Sequence, residues 1–256
     1  MAARTLSADH RSTALDPAAE QRVDLTAAFR LAVRFDFHEG TCNHFSLALS
    51  DRDGRYLINP FGRHFAELRP SDLVIVDTAG AVLEGAGTVE ATGFFIHSRL
   101  HRARAEAACV LHTHMPYTTA LTMIEGGRLE PCHQNALRFH DRIAYDDQYN
   151  GLALDDAEGD RMVACLGDRR VLFLANHGVI VTGRNVAEAF DDLYYLERAA
   201  EAQILAMSTG RALRRVAEAV TRRTQADFER DKSLYATQHF GALKRLLDVQ
   251  EPGWRG

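Results

Sequence analysis

Residues 109–116 read C-V-L-H-T-H-M-P and set His112 and His114 two apart behind an apolar run. In a β-strand, residues i and i+2 point to one face. A strand over residues 107–114 therefore projects both imidazoles together from its C-terminal end, where open α/β sheets place their sites. Two charged imidazoles side by side repel, and two neutral ones each need partners for their polar nitrogens. A shared divalent cation satisfies both rings at once. The alternative is a hydrogen-bonded histidine pair in a polar loop. Further along, F-L-A-N-H-G-V-I-V (173–181) sets His177 at a break between two apolar runs. Gly178 after it suggests a close backbone turn that presents the ring. Three histidines on strand ends, with a coordination position to spare, match a catalytic metal rather than a structural one. The alternative for His177 is a turn residue with its ring in solvent.

The elements that must position these rings follow from periodicity. Val23, Ala27, Ala28, Leu31, Ala32 and Phe35 fall at helical spacing within 18–38. Strands are expected at 45–49 and 55–59, joined by the D-R-D-G turn at 51–54. N-P-F-G (59–62) is a second turn, and 73–77 reads as a buried strand. A helix over 93–104 leads to the strand at 107–114, and a short helix follows at 117–124. Strands at 171–175 and 179–182 flank N-H-G. A long helix over 186–207 is capped by Asn185, and a last helical stretch covers 225–247. The tyrosines and leucine at 194–196 read as core packing for the long helix. With no internal repeat or linker, the economical reading is one α/β domain over 18–256 behind a loose polar arm, 1–17. A central sheet would carry helices on both faces.

Composition bounds the function. The 256 residues are 46% hydrophobic and 25% charged, with a net charge of −5. That is an ordinary globular balance with no basic stripe, so neither nucleic acid nor an anionic membrane is an expected partner. No apolar run reaches membrane-helix length and no apolar leader opens the chain, so a cytoplasmic protein is the default expectation. The four cysteines (Cys42, Cys109, Cys132, Cys165) form no C-x-x-C pair. Dinucleotide, P-loop and nucleophile-elbow signatures are absent.

H-T-H-M-P and, some sixty residues on, N-H-G-V-I-V-T-G resemble the class II aldolase/adducin family, over most of the chain from Ala18 to Met207. The resemblance implies an α/β/α sandwich around a central, largely antiparallel sheet. It implies one divalent metal per chain, zinc foremost with manganese or iron as alternatives, held by His112, His114 and His177. It also implies a homotetramer with active sites at subunit interfaces.

The departures narrow the chemistry. The family's sugar-phosphate aldolases carry S-S-E upstream of the metal pair, for phosphate and for acid/base work. Alignment without gaps from His112 back through His97 puts Ala91, Thr92 and Gly93 there, so the carboxylate is missing. Glu90 lies three residues earlier as a substitute. The G-N-x-S substrate loop becomes N-H-F-S (43–46), with His44 in the slot of an asparagine and Ser46 kept for substrate. The phosphate turn becomes N-P-F-G-R-H, contributing Asn59, Gly62, Arg63 and His64. Only Thr92 keeps a phosphate-slot hydroxyl, so a phosphate grip is weakened. Arg63 and Arg99 are candidates to grip a carboxylate instead; the plainer reading of each is a solvated charge. Proton donors are sought among His44, His64 and His133, though each is also a plain surface or core histidine. His133 is also a candidate substrate contact. The pattern suits the adducin-like branch of the family.

The expected activity is a metal-dependent carbon–carbon lyase, either decarboxylase or aldolase. Its substrate would be a small non-phosphorylated hydroxy or oxo acid, aromatic ones included. Alternatives are a non-haem Fe(II) oxygenase with the same three histidines, and an adducin-like binding scaffold. Trp254, near the C-terminus, is either a cap on the site or a surface residue.

Overall fold

A computed structural model describes residues 17–49 and 54–256. The N-terminal arm as far as residue 16 and most of the D-R-D-G turn lie outside them, while Pro17, expected in the arm, opens the first helix. Helix α1 (Pro17–Arg34) is followed by strands β1 (His44–Ala48) and β2 (Tyr56–Ile58). Strands β3 (Val74–Val76) and β4 (Val82–Glu84) come next, then helix α2 (Ala91–Ala103) and strand β5 (Cys109–Thr113). The second half runs α3 (Pro116–Thr122), α4 (Gln134–Leu137), β6 (Ile143–Asp146), α5 (Asp156–Leu166), β7 (Val171–Leu174) and β8 (Gly178–Gly183). Helices α6 (Val186–Met207), α7 (Glu218–Arg230) and α8 (Lys232–Gln250) close the fold.

One eight-stranded sheet has the order β4-β3-β2-β1-β5-β8-β7-β6. Every pairing is antiparallel except β6 with β7. This is the expected α/β architecture with a largely antiparallel sheet. Alternation along the strands splits the core into two layers. Phe45, Leu47, Cys109, Leu111, Val179 and Val181 pack with α1, α6 and α8. Val110, Leu172 and Ile180 face the other way, onto Ile96 and Leu100 of α2 and Met162 and Leu166 of α5. His44, Ser46 and His112 share that second face, since β1 and β5 alternate in register: His44 lies opposite His112, and Ser46 opposite Val110.

The structure revises several expected bounds. Helix α1 stops at Arg34, and Asp36 takes the left-handed conformation at φ 60° just after it. The C-terminal stretch starts earlier, at Glu218, and breaks at Asp231 into two helices. Strands β4 and β6 and helices α4 and α5 were not anticipated. β4 is an exposed edge of three residues, and β6 is short and only half-buried. Trp254 is buried in the main core with its indole N–H on Asp248 at 2.9 Å, away from the histidine cluster's cavity. Among the described residues no helix is long and apolar enough to cross a membrane.

One buried carboxylate ties the long helix to the segment that follows β5. Glu197 of α6 is 1% exposed and accepts the backbone N–H groups of Tyr117 at 2.7 Å and Thr118 at 2.9 Å. These are orphan donors of the first turn of α3, which begins two residues after His114. Glu197→Ala is expected to lower the unfolding free energy by about 2–4 kcal/mol, the loss of two charge-assisted bonds with their donors left buried. Chemical denaturation would show this as a lower midpoint at unchanged slope.

Candidate metal and proton-handling site

His112 and His114 leave the end of β5, and His177 stands immediately before β8. Ligand atoms of the three rings all lie within 4.8 Å of one another. The turn that presents His177 depends on two neighbours. Asn176 adopts φ 56°, the left-handed conformation that asparagine tolerates. Gly178 is needed for space: a Cβ there would sit 2.5 Å from the Thr113 carbonyl oxygen and 2.7 Å from Cδ2 of His114.

Backbone chemistry fixes which ring nitrogens face inward. His112 Nδ1 is 3.0 Å from the Val179 carbonyl oxygen. A carbonyl only accepts, so Nδ1 carries the proton. His114 Nδ1 is 2.5 Å from Oε2 of Glu39, and a carboxylate likewise takes that proton. The Nε2 atoms of the two rings then converge at 3.2 Å. With both rings neutral, two lone pairs face each other, an arrangement that calls for a cation between them. The donor set therefore fits a divalent metal, with Glu39 as the outer carboxylate of a ligating histidine.

Behind this cluster a second set of rings is packed between α2 and β1. His44 stacks on His112 with ring centroids 4.8 Å apart. Its Nδ1 lies 2.8 Å from Nε2 of His97. His97 Nδ1 bonds to the Ser46 hydroxyl, which is 2.6 Å from Nε2 of His101. His101 Nδ1 ends the chain on the Ala107 carbonyl at 2.9 Å. Burial lowers every one of these rings. His44 is brought down to about 3, first by burial and then by repulsion that any charge on its neighbours His114 and His177 would add. His101 comes to about 4, and His97 lies well below the ordinary histidine value, helped by His44 and His101. In the cluster itself, burial also holds His112 well down and His177 to about 4.

The sequence profile described as Class II Aldolase and Adducin N-terminal domain matches residues 23–204. The chain belongs to the class II aldolase/adducin family. A Pseudomonas aeruginosa protein provisionally named an aldolase class 2 protein is 33% identical over 259 residues, spanning 99% of each chain. The solved structure of an aldolase II superfamily protein from Pseudomonas syringae matches with a TM-score of 0.89 and 34% identity, over 96% of this chain and 99% of that one. An L-fuculose 1-phosphate aldolase from Glaciozyma antarctica has the same fold, with a TM-score of 0.82 and 23% identity over 93% of both chains.

Within this class II aldolase fold the space beside Gly93 is taken by His44. A Cβ at 93 would lie 3.0 Å from His44 Cδ2 and 3.1 Å from Cγ. A cavity of about 760 Å³ opens over the cluster. It is lined by His44, Glu90, Thr92, His112, His114 and His177 among the expected residues, and by the unanticipated Glu39, Phe61, Met123, Tyr149 and Asn176. Glu90 caps α2 with one carboxylate oxygen, taking the Gly93 N–H at 2.9 Å and the Thr92 hydroxyl.

The other expected residues stand elsewhere. Ser46 is fully buried within the histidine chain and does not line the cavity. Asn59 is buried and bonded to the backbone of Asn43 and Phe45. Gly62 turns the chain at φ 78°, outside the cavity wall. Arg63 pairs with Glu67, and His64 bonds to His38 at 3.1 Å. Arg99 is held by Asp156 and Asp160 of α5. His133 caps α4 and lines a different cavity.

The buried neutral rings make stability depend on pH. An unfolded chain protonates these histidines near the ordinary value of 6.5, whereas folded His101 and His177 resist until about 4. Their contribution is therefore complete above about pH 6.5 and is lost as pH falls toward about 4. Urea unfolding of metal-free protein at stepped pH is expected to show stability falling through that window. A flat profile there would contradict the neutral, buried assignment.

Proposed function

We propose that this chain is a divalent-metal-dependent carbon–carbon lyase, decarboxylating or aldol-cleaving, for a small non-phosphorylated hydroxy or oxo acid with an apolar body. The observation that carries the reading is the convergence of the His112 and His114 Nε2 atoms, each ring anchored through Nδ1, beside His177. These three histidines would hold the metal, zinc foremost, with one position left for substrate. When bound, such a cation supplies Lewis acidity that stabilises negative charge on a substrate oxygen as the carbon–carbon bond breaks.

The rest of the cavity supports the substrate class. No lysine or arginine is among the described residues lining it, so a phosphate dianion finds no cationic partner among them. Phe61, Ile96, Met123, Tyr149 and Leu152 supply an apolar wall. The volume lies in the range of about 300–1,000 Å³ usual for small-molecule sites. Phe61, Met123 and Leu152 are 59%, 66% and 68% exposed. That suits a homotetramer in which a neighbouring subunit covers the mouth. His44, neutral and stacked on His112, is the proton-handling group. Thr92 offers a hydroxyl to the substrate, and Glu90 holds Thr92 in place.

Protein purified without chelator is expected to carry about one divalent metal per chain, by elemental analysis, and His112→Ala/His114→Ala to carry none. Zinc or manganese with release of carbon dioxide or an aldehyde supports the lyase. Iron with oxygen uptake would replace it by an oxygenase, and failure to bind any metal on titration would leave the adducin-like scaffold. Glu39→Ala is expected to weaken metal binding about 10- to 100-fold in a chelator competition, since the outer carboxylate orients His114.

A further inference from the structure

The hydrogen-bonded chain behind His44 has a direction, and a single backbone carbonyl sets it. The Ala107 oxygen can only accept, so His101 carries its proton on Nδ1. With His101 neutral, its Nε2 is an acceptor, and the Ser46 hydroxyl must donate to it. A hydroxyl has one proton to give. Ser46 therefore accepts from His97, whose proton sits on Nδ1. His97 Nε2 is then an acceptor and takes the proton on His44 Nδ1. The last ring is left with a bare lone pair on Nε2.

We propose that His97, Ser46 and His101 are positioning residues that lock His44 in the Nδ1–H tautomer and so keep its Nε2 as a proton acceptor at the site. The proposal rests on the reading of His44 as the proton-handling group. Free neutral imidazole side chains in water favour the opposite tautomer, with the proton on Nε2, so the lock changes what His44 presents. An Nε2–H ring would be a donor toward the cavity and useless as a base. The logic is that of any histidine base held by a partner on its other nitrogen. Here the partner is a relay of two rings and a hydroxyl.

The geometry supports a dedicated device. Ser46 and His97 are fully buried, and neither lines the cavity. His97 and His101 stand four apart on α2, one turn of helix, and so meet the same strand. Ser46 lies two residues from His44 on β1, on the same face. Burial keeps His101 neutral at physiological pH, which the stated polarity requires.

The test reads the protons directly. Protein labelled with ¹⁵N-histidine and loaded with zinc is examined by two-bond ¹H–¹⁵N correlation, with signals assigned through His44→Gln, His97→Gln and His101→Gln. The expected result is Nδ1–H on His44, His97 and His101. An Nε2–H signal from neutral His44 or His97 would overturn the proposal. Ser46→Ala is expected to release His44 into a mixture of tautomers. It should lower kcat by about 10- to 100-fold with KM changed far less, and Ser46→Thr should restore both. Locked tautomers with kcat unchanged in a folded Ser46→Ala protein would refute the link to chemistry. Should Ser46→Ala fail to fold, the wild-type spectrum still decides the tautomer. Locked tautomers in a protein without lyase activity would sink the proposed function while leaving the lock standing.

Discussion

A carbonyl oxygen can accept a hydrogen bond but never donate one, and this asymmetry organises the site. The pairing of β5 with β8 brings the Val179 carbonyl to His112 Nδ1. The bend after α2 brings the Ala107 carbonyl to His101 Nδ1. Each contact fixes the inward nitrogen of its ring without a charged residue. From the first follows a ligand lone pair facing His114. From the second follows the direction of every bond as far as His44. Both carbonyls belong to the backbone, so their places are set by strand register and helix end and not by side-chain rotamers.

Three neutral rings and a hydroxyl buried between a helix and a sheet are costly unless each polar atom finds a partner. The chain from His44 to Ala107 supplies those partners for every ring nitrogen except Nε2 of His44. Apolar layers on either side keep it dry: Ile96, Leu100 and Val110 lie beside it, and Phe45 and Leu111 lie across the sheet. Space is settled as tightly as charge. A Cβ at 93 would press on the His44 ring, 3.0 Å from Cδ2. The helix residue and the strand residue are thus one packing unit. Either a side chain grows from α2 into this space or an imidazole enters it from β1.

The sequence exposed what is local. A period of two on β5 put His112 and His114 on one face, and the break at N-H-G brought His177 to a strand end. The structure gathers all three. The sheet's antiparallel character came from the family resemblance and not from periodicity. What stayed hidden depends on long-range pairing. His97 and His101 read as ordinary helix positions until α2 is laid across β1. Ser46 was expected at the substrate because its loop motif resembles a binding loop, but strand alternation turns it into the α2 layer. Glu39 sits in a polar H-E-G-T segment, and only the fold carries it to His114. His64, His133, Arg63 and Arg99 were chosen by residue type, and each has a partner elsewhere. The break of the C-terminal stretch at Asp231 gave no proline or glycine signal.

On the proposed reading, a strand imidazole in place of a helix carboxylate also alters the charge that an incoming acid meets. A glutamate at 93 would put a negative charge beside the histidine cluster. His44 is neutral there, so an anionic substrate approaches without that repulsion. The two carboxylates that remain at the cavity are otherwise engaged. Glu39 is held by the His114 Nδ1 proton, and Glu90 by the N-terminus of α2, where the helix dipole favours a negative charge. On the proposed reading, with a neutral base, no lysine or arginine among the described lining residues and a cation held by three neutral imidazoles, a carboxylate would be attracted mainly through the metal. Sugar phosphates carry their charge far from the bond to be broken, and of the family's phosphate-slot hydroxyls only that of Thr92 is kept here. A carboxylate adjacent to a hydroxyl or oxo group has its charge beside the bond, and the same cation can serve both for binding and for chemistry.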